Sequence, residues 1–269
     1  MSDLIPRSYL FVPATNPQRF AKALAAGAGA VIVDLEDAVP PSQKTVARTA
    51  VADWVSADRP VLVRINAADT EWFHDDLALC GLPGVAGIVL PKAEVACDIE
   101  AVVSSGAAKV LPLIESARGF ANVCAVAQAP GVQRLLFGSI DFKLDLGIDG
   151  DGEELLYFRS QLVLASRLAG IMPPVDGVNT AIDDAGQLTN DTLRARRIGF
   201  GGKLCIHPRQ VSYVNTCFQP TPDDIAWAER ILQAATDAQG AAVAVDGKMV
   251  DRPVMLKAQQ ILQESGRNF

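Results

Sequence analysis

Eight short apolar runs recur along the 269 residues, and each closes on a charged or polar side chain. They are Tyr9–Pro13, Val31–Asp37, Val61–Asn66, Gly87–Lys92, Val110–Glu115, Leu135–Asp141, a weaker run at Pro174–Asn179, and Lys203–His207. Runs of this length, rich in Val, Ile and Leu and separated by stretches able to form helices, suit a parallel sheet covered on both faces. Eight such units predict an α/β fold, a closed (β/α)8 TIM barrel whose site lies at the C-terminal ends of its strands. The residues that close the runs are Glu36, Asp37, Arg64, Lys92, Glu115, Asp141, Asp176 and His207. They stand where that architecture puts chemistry.

The connections fit the same scheme. Asn16-Pro17 introduces a helical segment over Arg19–Ala28, and Ser42–Trp54, Glu94–Val103, Ala117–Ala127, Glu153–Leu168 and Thr189–Ile198 follow or precede later runs. The barrel is expected to occupy 1–218. An extension over 219–269 is expected to pack on it or on a neighbouring subunit. Thr221-Pro222-Asp223-Asp224 signals a helix start, with a capping hydroxyl, an early Pro and first-turn acids. Asp246-Gly247 reads as a hairpin turn between Ala242–Val245 and Lys248–Val250, and Arg252-Pro253 opens a last amphipathic helix. The extension therefore reads helix–hairpin–helix.

Charge narrows the function classes. A net charge of −7 argues against a nucleic-acid surface while leaving room for a local cationic pocket. Met1–Pro6 shows no secretory-leader pattern, and no apolar stretch reaches the roughly 18 residues of a membrane span. Five cysteines without CxxC spacing are expected as free thiols in a reducing cytoplasm.

Among the run ends, Glu115 and Asp141 follow alternating apolar positions and are expected on comparable faces of two strands. Two carboxylates at a barrel rim suit Mg²⁺, with water and substrate oxygens completing the octahedron. They equally suit helix caps or ion pairs. Arg64 can hold a substrate carboxylate or stabilise a developing oxyanion, or it can pair with Glu36 or Asp37. Within Asp34-Leu35-Glu36-Asp37, Asp34 and Glu36 share one face, and part of the cluster is expected only to orient Arg64 or a metal-bound water. Lys92 admits a Schiff base with a carbonyl substrate, or an ion pair with nearby acids. His207 can contact a ligand or cap its strand end. No Ser–His–Asp arrangement and no GlyXGlyXXGly fingerprint stands out.

Arg7-Ser8-Tyr9-Leu10-Phe11-Val12-Pro13, Asp34-Leu35-Glu36-Asp37-Ala38-Val39, Val63-Arg64-Ile65-Asn66, Leu90-Pro91-Lys92, Ile114-Glu115-Ser116, Gly138-Ser139-Ile140-Asp141 and Ile206-His207-Pro208 occur in that order. Together they resemble the citrate lyase beta-subunit-like family of the HpcH/HpaI aldolase/citrate lyase superfamily. The resemblance implies Mg²⁺ held by Glu115 and Asp141, with an oxo-acid held there by Glu115, Gly138, Ser139 and Arg64. It implies a carbon–carbon lyase that splits a 3-hydroxyacyl-CoA such as citryl-CoA into acetyl-CoA and an oxo-acid such as oxaloacetate, or runs the condensation. Glu36 and Asp37 would assist Arg64, while Arg19, Lys22 and His207 would meet coenzyme A. Arg19 and Lys22 also read as an ordinary solvated helix face.

Asp251 resembles a tail aspartate that relatives present to an adjacent subunit, where it would exchange a proton with the acetyl methyl carbon. It also reads as the N-cap of the final helix. The family implies a homotrimer and admits partners in a citrate lyase complex. The chain ends soon after its last helix, where some relatives carry a longer lid. A CoA-independent class II aldolase for hydroxy-oxo acids and a non-catalytic assembly subunit are the alternatives.

Overall fold

Eight parallel strands pair in chain order and the last closes on the first in a computed structural model that describes residues 5–237 and 243–267. They are β1 (Ser8–Pro13), β2 (Ala30–Asp34), β3 (Val61–Arg64), β4 (Val85–Leu90), β5 (Val110–Ile114), β6 (Arg134–Phe137), β7 (Met172–Asp176) and β8 (Gly202–Cys205). The fold is a (β/α)8 barrel. Ile32 lies against Phe11 and Leu62 in register, and Leu113 against Leu136, so the pleat fixes which residues enter the lumen. Tyr9, Ile32, Leu62, Val89, Leu111, Leu113, Leu136, Val175 and Leu204 fill that lumen. Their neighbours, such as Val31, Val33, Val61 and Val63, join the larger layer beneath the helices. Each fully buried Leu, Ile or Val contributes about 1.5–3 kcal/mol relative to exposure.

The helices are α1 (Phe20–Leu24), α2 (Lys44–Trp54), α3 (Phe73–Asp76), α4 (Ala96–Ser104), α5 (Ala117–Ala121), α6 (Val123–Gln128), α7 (Ser139–Leu146), α8 (Leu156–Leu168), α9 (Ala185–Ile198) and α10 (Pro208–Phe218). The first connection is shorter than its sequence suggests. A 3-10 turn over Pro17–Arg19 leads into α1, and Gly27 takes a left-handed backbone (φ 77) before β2. The segment expected as one helix over Ala117–Ala127 breaks at Asn122, which is C-cap of α5 and N-cap of α6. After β8, α10 buries Val211, Val214, Cys217 and Phe218. Its apolar spacing was present in the sequence but not read as a helix.

The run expected to extend as a strand through Asp141 ends at Phe137, and α7 begins at Ser139. Asp141 therefore lies in the first turn of a helix rather than on a strand. The period-2 spacing of Ser139 and Asp141 from Leu135 and Phe137 is coincidental here.

The chain divides into two compact units, Met1–Phe218 and Gln219–Phe269. In the second, α11 (Pro222–Asp237), β9 (Val243–Val245), β10 (Lys248–Val250) and α12 (Arg252–Glu264) share a core of Ala228, Ile231, Leu232, Val250, Ala258 and Leu262. The Thr221 hydroxyl accepts from the Asp224 N–H at 3.1 Å, while Asp224 accepts from the Thr221 N–H at 2.9 Å. Asp246 and Gly247, both at positive φ, turn β9 into antiparallel β10. Ala242, placed in the first hairpin strand from sequence, lies outside the described residues.

Candidate active site

At the C-terminal ends of the strands lies a cavity of about 500 Å³. Its polar wall carries Asp34, Asp37, Arg64, Glu115, Ser139 and Asp141, and its apolar wall includes Phe11, Leu113, Phe137, Val178, Leu204 and Ile206. Arg64 ends β3 and is 8% exposed. Its Nε and Nη2 donate to the two oxygens of Asp34, each at 2.7 Å, a bidentate fork. Nη1 lies 2.8 Å from Glu36 Oε2 and 3.4 Å from Asp37 Oδ2, and the guanidinium stacks 4.9 Å from the Phe11 ring centroid. Burial works against the charge, but the Asp34 hydrogen bonds and the neighbouring carboxylates outweigh it and hold Arg64 firmly protonated.

Glu115 follows β5 and is 4% exposed. Burial first, then the charge of Glu36, pushes its carboxyl up to about 8. One donor opposes that shift, the Lys92 N–H, which reaches Glu115 Oε1 at 2.7 Å. Lys92 takes a left-handed backbone (φ 45), an uncommon conformation for a side-chain-bearing residue, and that turn aims the amide at the acid. Glu36 is raised to about 7, again chiefly by burial. Its Oε2 meets Arg64 at ion-pair distance without hydrogen-bond alignment and has no aligned donor.

Backbone proximity shapes the same wall. A side chain on Gly138 would meet Glu115 Cβ and Oε2 at 2.5 Å, so only glycine lets the acid lie against the start of α7. Asp141, in the first helical turn, faces the same cavity and adds to the repulsion felt by Glu115.

Five carboxylates thus surround this mouth, Asp34, Glu36, Asp37, Glu115 and Asp141, against the cations Arg64 and Lys92. That surplus of hard oxygen donors, with Glu36 and Glu115 pushed up to about 7 and 8 chiefly by burial, fits a divalent cation whose charge would offset the repulsion. Among the described residues no group of three or more His, Cys, Asp or Glu side chains forms a closed cage. An ion held by Glu115 and Asp141 would therefore draw its remaining ligands from water and substrate.

The other candidates stand elsewhere. Lys92 Nζ is 3.7 Å from Glu36 Oε1; burial opposes its charge, but the nearby acids raise its pKa overall, which favours the ion pair over a free amine nucleophile. Asp176 is fully buried between Arg159 Nε at 2.8 Å and Lys203 Nζ at 2.9 Å, away from the cavity wall. His207 accepts the Arg209 N–H through Nδ1 at 3.2 Å at the start of α10 and does not line the cavity, whereas its neighbour Ile206 does. Arg19 and Lys22 are exposed in the first βα connection and have no ion-pair partner among the described residues. Asp251 belongs to the second unit and caps α12, its Oδ1 accepting the Val254 N–H at 3.2 Å.

Asp34 was read from the sequence only as part of a cluster. Its contact with Arg64 makes it the principal orienter of that cation. The pairing of strand ends, Asp34 beside Arg64 in register, is the signal that could have found it.

The HpcH/HpaI aldolase/citrate lyase family model matches residues 7–208. The chain belongs to that family. A citrate lyase subunit beta-like protein of Deinococcus radiodurans is 36% identical over 95% of this chain and 96% of its own length. A (3S)-malyl-CoA thioesterase of Cereibacter sphaeroides is 34% identical over 96% and 94%. The structure of Mycobacterium tuberculosis CitE in complex with magnesium, acetoacetate and coenzyme A has a TM-score of 0.88 and 33% identity, covering 98% of this chain and 100% of that one. The HpcH/HpaI family is a family of enzymes with CoA-linked members, and the cavity lies at the C-terminal strand ends, the face on which (β/α)8 barrel enzymes generally carry their active sites.

Proposed function

We propose that this protein is a Mg²⁺-dependent carbon–carbon lyase that cleaves, or forms, a 3-hydroxyacyl-CoA, giving acetyl-CoA and an oxo-acid. Citryl-CoA and oxaloacetate are the substrate and product favoured by the family resemblance. The observation that carries the reading is the single cavity in which the fixed guanidinium of Arg64 faces the electron-rich pair Glu115 and Asp141. The M. tuberculosis relative solved with magnesium supports a divalent metal in the reaction.

In the cleavage direction the hydroxyl proton passes to a carboxylate of the mouth, the bond between C2 and C3 breaks, and its electron pair becomes the thioester enolate. The carbinol carbon becomes the keto carbon of the oxo-acid. Arg64 stabilises the oxyanion that develops, and Asp34 and Glu36 keep it from rotating away. Asp37, exposed on the cavity wall, steers the same cation. Gly138 and Ser139 open α7 against the cavity, where first-turn amides suit an oxo-acid carboxylate. Mg²⁺ on Glu115 and Asp141 would supply Lewis acidity and a template for the oxo-acid oxygens.

Asp251 is assigned to protonation of the enolate carbon in a neighbouring copy, and Arg19, Lys22 and His207 to coenzyme A. Tyr157, Leu164 and Leu168 form an exposed apolar stripe on α8, which supports self-association, proposed here as a homotrimer. Among the described residues no helix is long and apolar enough to cross a membrane. A cytoplasmic location is part of the proposal.

The test is a turnover panel of citryl-, malyl- and citramalyl-CoA together with CoA-free hydroxy-oxo acids, each with Mg²⁺ or EDTA. Acetyl-CoA and oxo-acid should appear together and only with Mg²⁺. Cleavage indifferent to EDTA would overturn the metal assignment. Release of free CoA with an intact hydroxy acid would identify a thioesterase instead. Turnover of CoA-free substrates alone would identify an aldolase, and no turnover at all would favour an assembly subunit.

A further inference from the structure

We propose that Lys44 is a positioning residue for the mouth, fixing the turn after β2 so that Asp34 and Glu36 hold Arg64 in place. Lys44 begins α2 and is 5% exposed, an unusual burial for a lysine. Its ammonium donates to the Leu35 carbonyl at 2.7 Å, the Glu36 carbonyl at 2.8 Å and Asn66 Oδ1 at 2.5 Å. Three protons meet three acceptors. The Trp72 ring lies 5.0 Å from Nζ and closes the site. Lys44 does not line the strand-end cavity, so any effect on chemistry passes through other residues.

What it grips decides the role. Leu35 and Glu36 follow β2 directly, and Asn66 stands two residues after Arg64 at the end of β3. One ammonium therefore ties together the two chain segments whose side chains make the Arg64 fork. Asn66 is itself anchored, because its N–H and Nδ2 both donate to Asp76 Oδ2, at 2.9 and 2.6 Å. Asp76, on α3, accepts from Arg48 Nε at 2.6 Å. Arg48 lies one turn after Lys44 on α2, so the chain of contacts returns to its start.

Without the ammonium, two carbonyls and an amide oxygen would lose their buried donor. The turn would relax, and Glu36 with it. Displacing a charge-stabilising group by about 1 Å is worth on the order of 100-fold in rate.

The inference rests on the lyase reading for its kinetic test but not for its structural one. Lys44→Met, near in size and without donors, should lower kcat about 10- to 100-fold while KM for the acyl-CoA stays within about threefold. Asn66→Ala should show the same signature more weakly, and it serves if Lys44→Met fails to fold. Paired with Glu36→Gln, either variant should give a loss well short of the product of the single losses, because the brace acts through Glu36 and its neighbours. Multiplicative losses, or a kcat that falls only with the folded fraction, would overturn the role.

Hydrogen exchange needs no substrate. Amides over residues 34–40 should exchange several-fold faster in the variants, with residues 110–116 unchanged. Uniform acceleration across the barrel would refute a local brace. If the wild type turned over none of the panel substrates, the lyase reading would fail while the exchange pattern still decided whether Lys44 fixes the turn.

Discussion

Asp176 and Glu115 are both buried acids just at or after the ends of barrel strands, yet their carboxyls stand at opposite extremes. Asp176 is held at about 2; burial alone would raise it, but Lys203 and Arg159 together outweigh that cost. Glu115 is pushed up to about 8 because burial finds one backbone amide and several like charges. Burial is common to both, so the number and sign of partners makes the difference. Asp176 pairs with two cations, one of which, Arg159, also meets Asp151, and it does not line the strand-end cavity. Around Glu115 a single guanidinium is shared among Asp34, Glu36 and Asp37, and the surplus negative charge opens onto 500 Å³ of space. Matched charge belongs to the scaffold, and unmatched charge beside a cavity marks a binding site.

The contrast can be broken at its strongest point first. Asp176→Ala strands buried Lys203 and leaves Arg159 with Asp151 alone, and should cost about 3–5 kcal/mol in urea unfolding, with the folded fraction still active. A loss below about 1 kcal/mol would erase the distinction between the clusters.

A smaller effect should appear with pH in metal-free protein. Glu36 and Glu115 bind protons more tightly when folded, at about 7 and 8 against an ordinary 4.5. Their contribution is therefore full below about 4.5 and lost as pH rises through 7 and 8, a decline of several kcal/mol. Thermal melts from pH 5 to 8.5 would show it. Glu115→Gln should flatten that decline and weaken Mg²⁺ binding at least about tenfold in calorimetry. A variant with the wild-type pH slope and Mg²⁺ affinity would remove Glu115 from the metal pair.

The smallest effect is expected at His207, whose contact with the Arg209 amide makes it a helix-start residue. His207→Ala should cost under about 1 kcal/mol in stability and raise KM for the acyl-CoA only a few-fold. An unchanged KM would withdraw His207 from coenzyme A and leave it a helix-start residue alone.

The barrel was legible because eight apolar runs of strand length each end on a polar residue, a pattern fixed by buried strands and a solvent-facing rim. Arg64 and Glu115 were legible for the same reason. Asp141 was found for a mistaken cause, since helical geometry and not strand alternation turns it into the cavity. Asp176 was noted only as the end of an apolar run, and the cations that neutralise it are remote in sequence, one inside α8 and one on β8. Lys44 and Arg48 lie in the segment expected as a helix over Ser42–Trp54, and only tertiary packing shows that they brace two strand ends. Pairings between distant positions leave little trace in local spacing.

Gly138 has a consequence for how this chain can change over generations. Glu115 occupies the space that any β-carbon on Gly138 would need. Even the smallest replacement, Gly138→Ala, would have to displace the acid, and so would arrive as a loss of the site rather than as a neutral step. The two positions are locked to one another, and a descendant that abandons Glu115 is the one in which position 138 becomes free to vary.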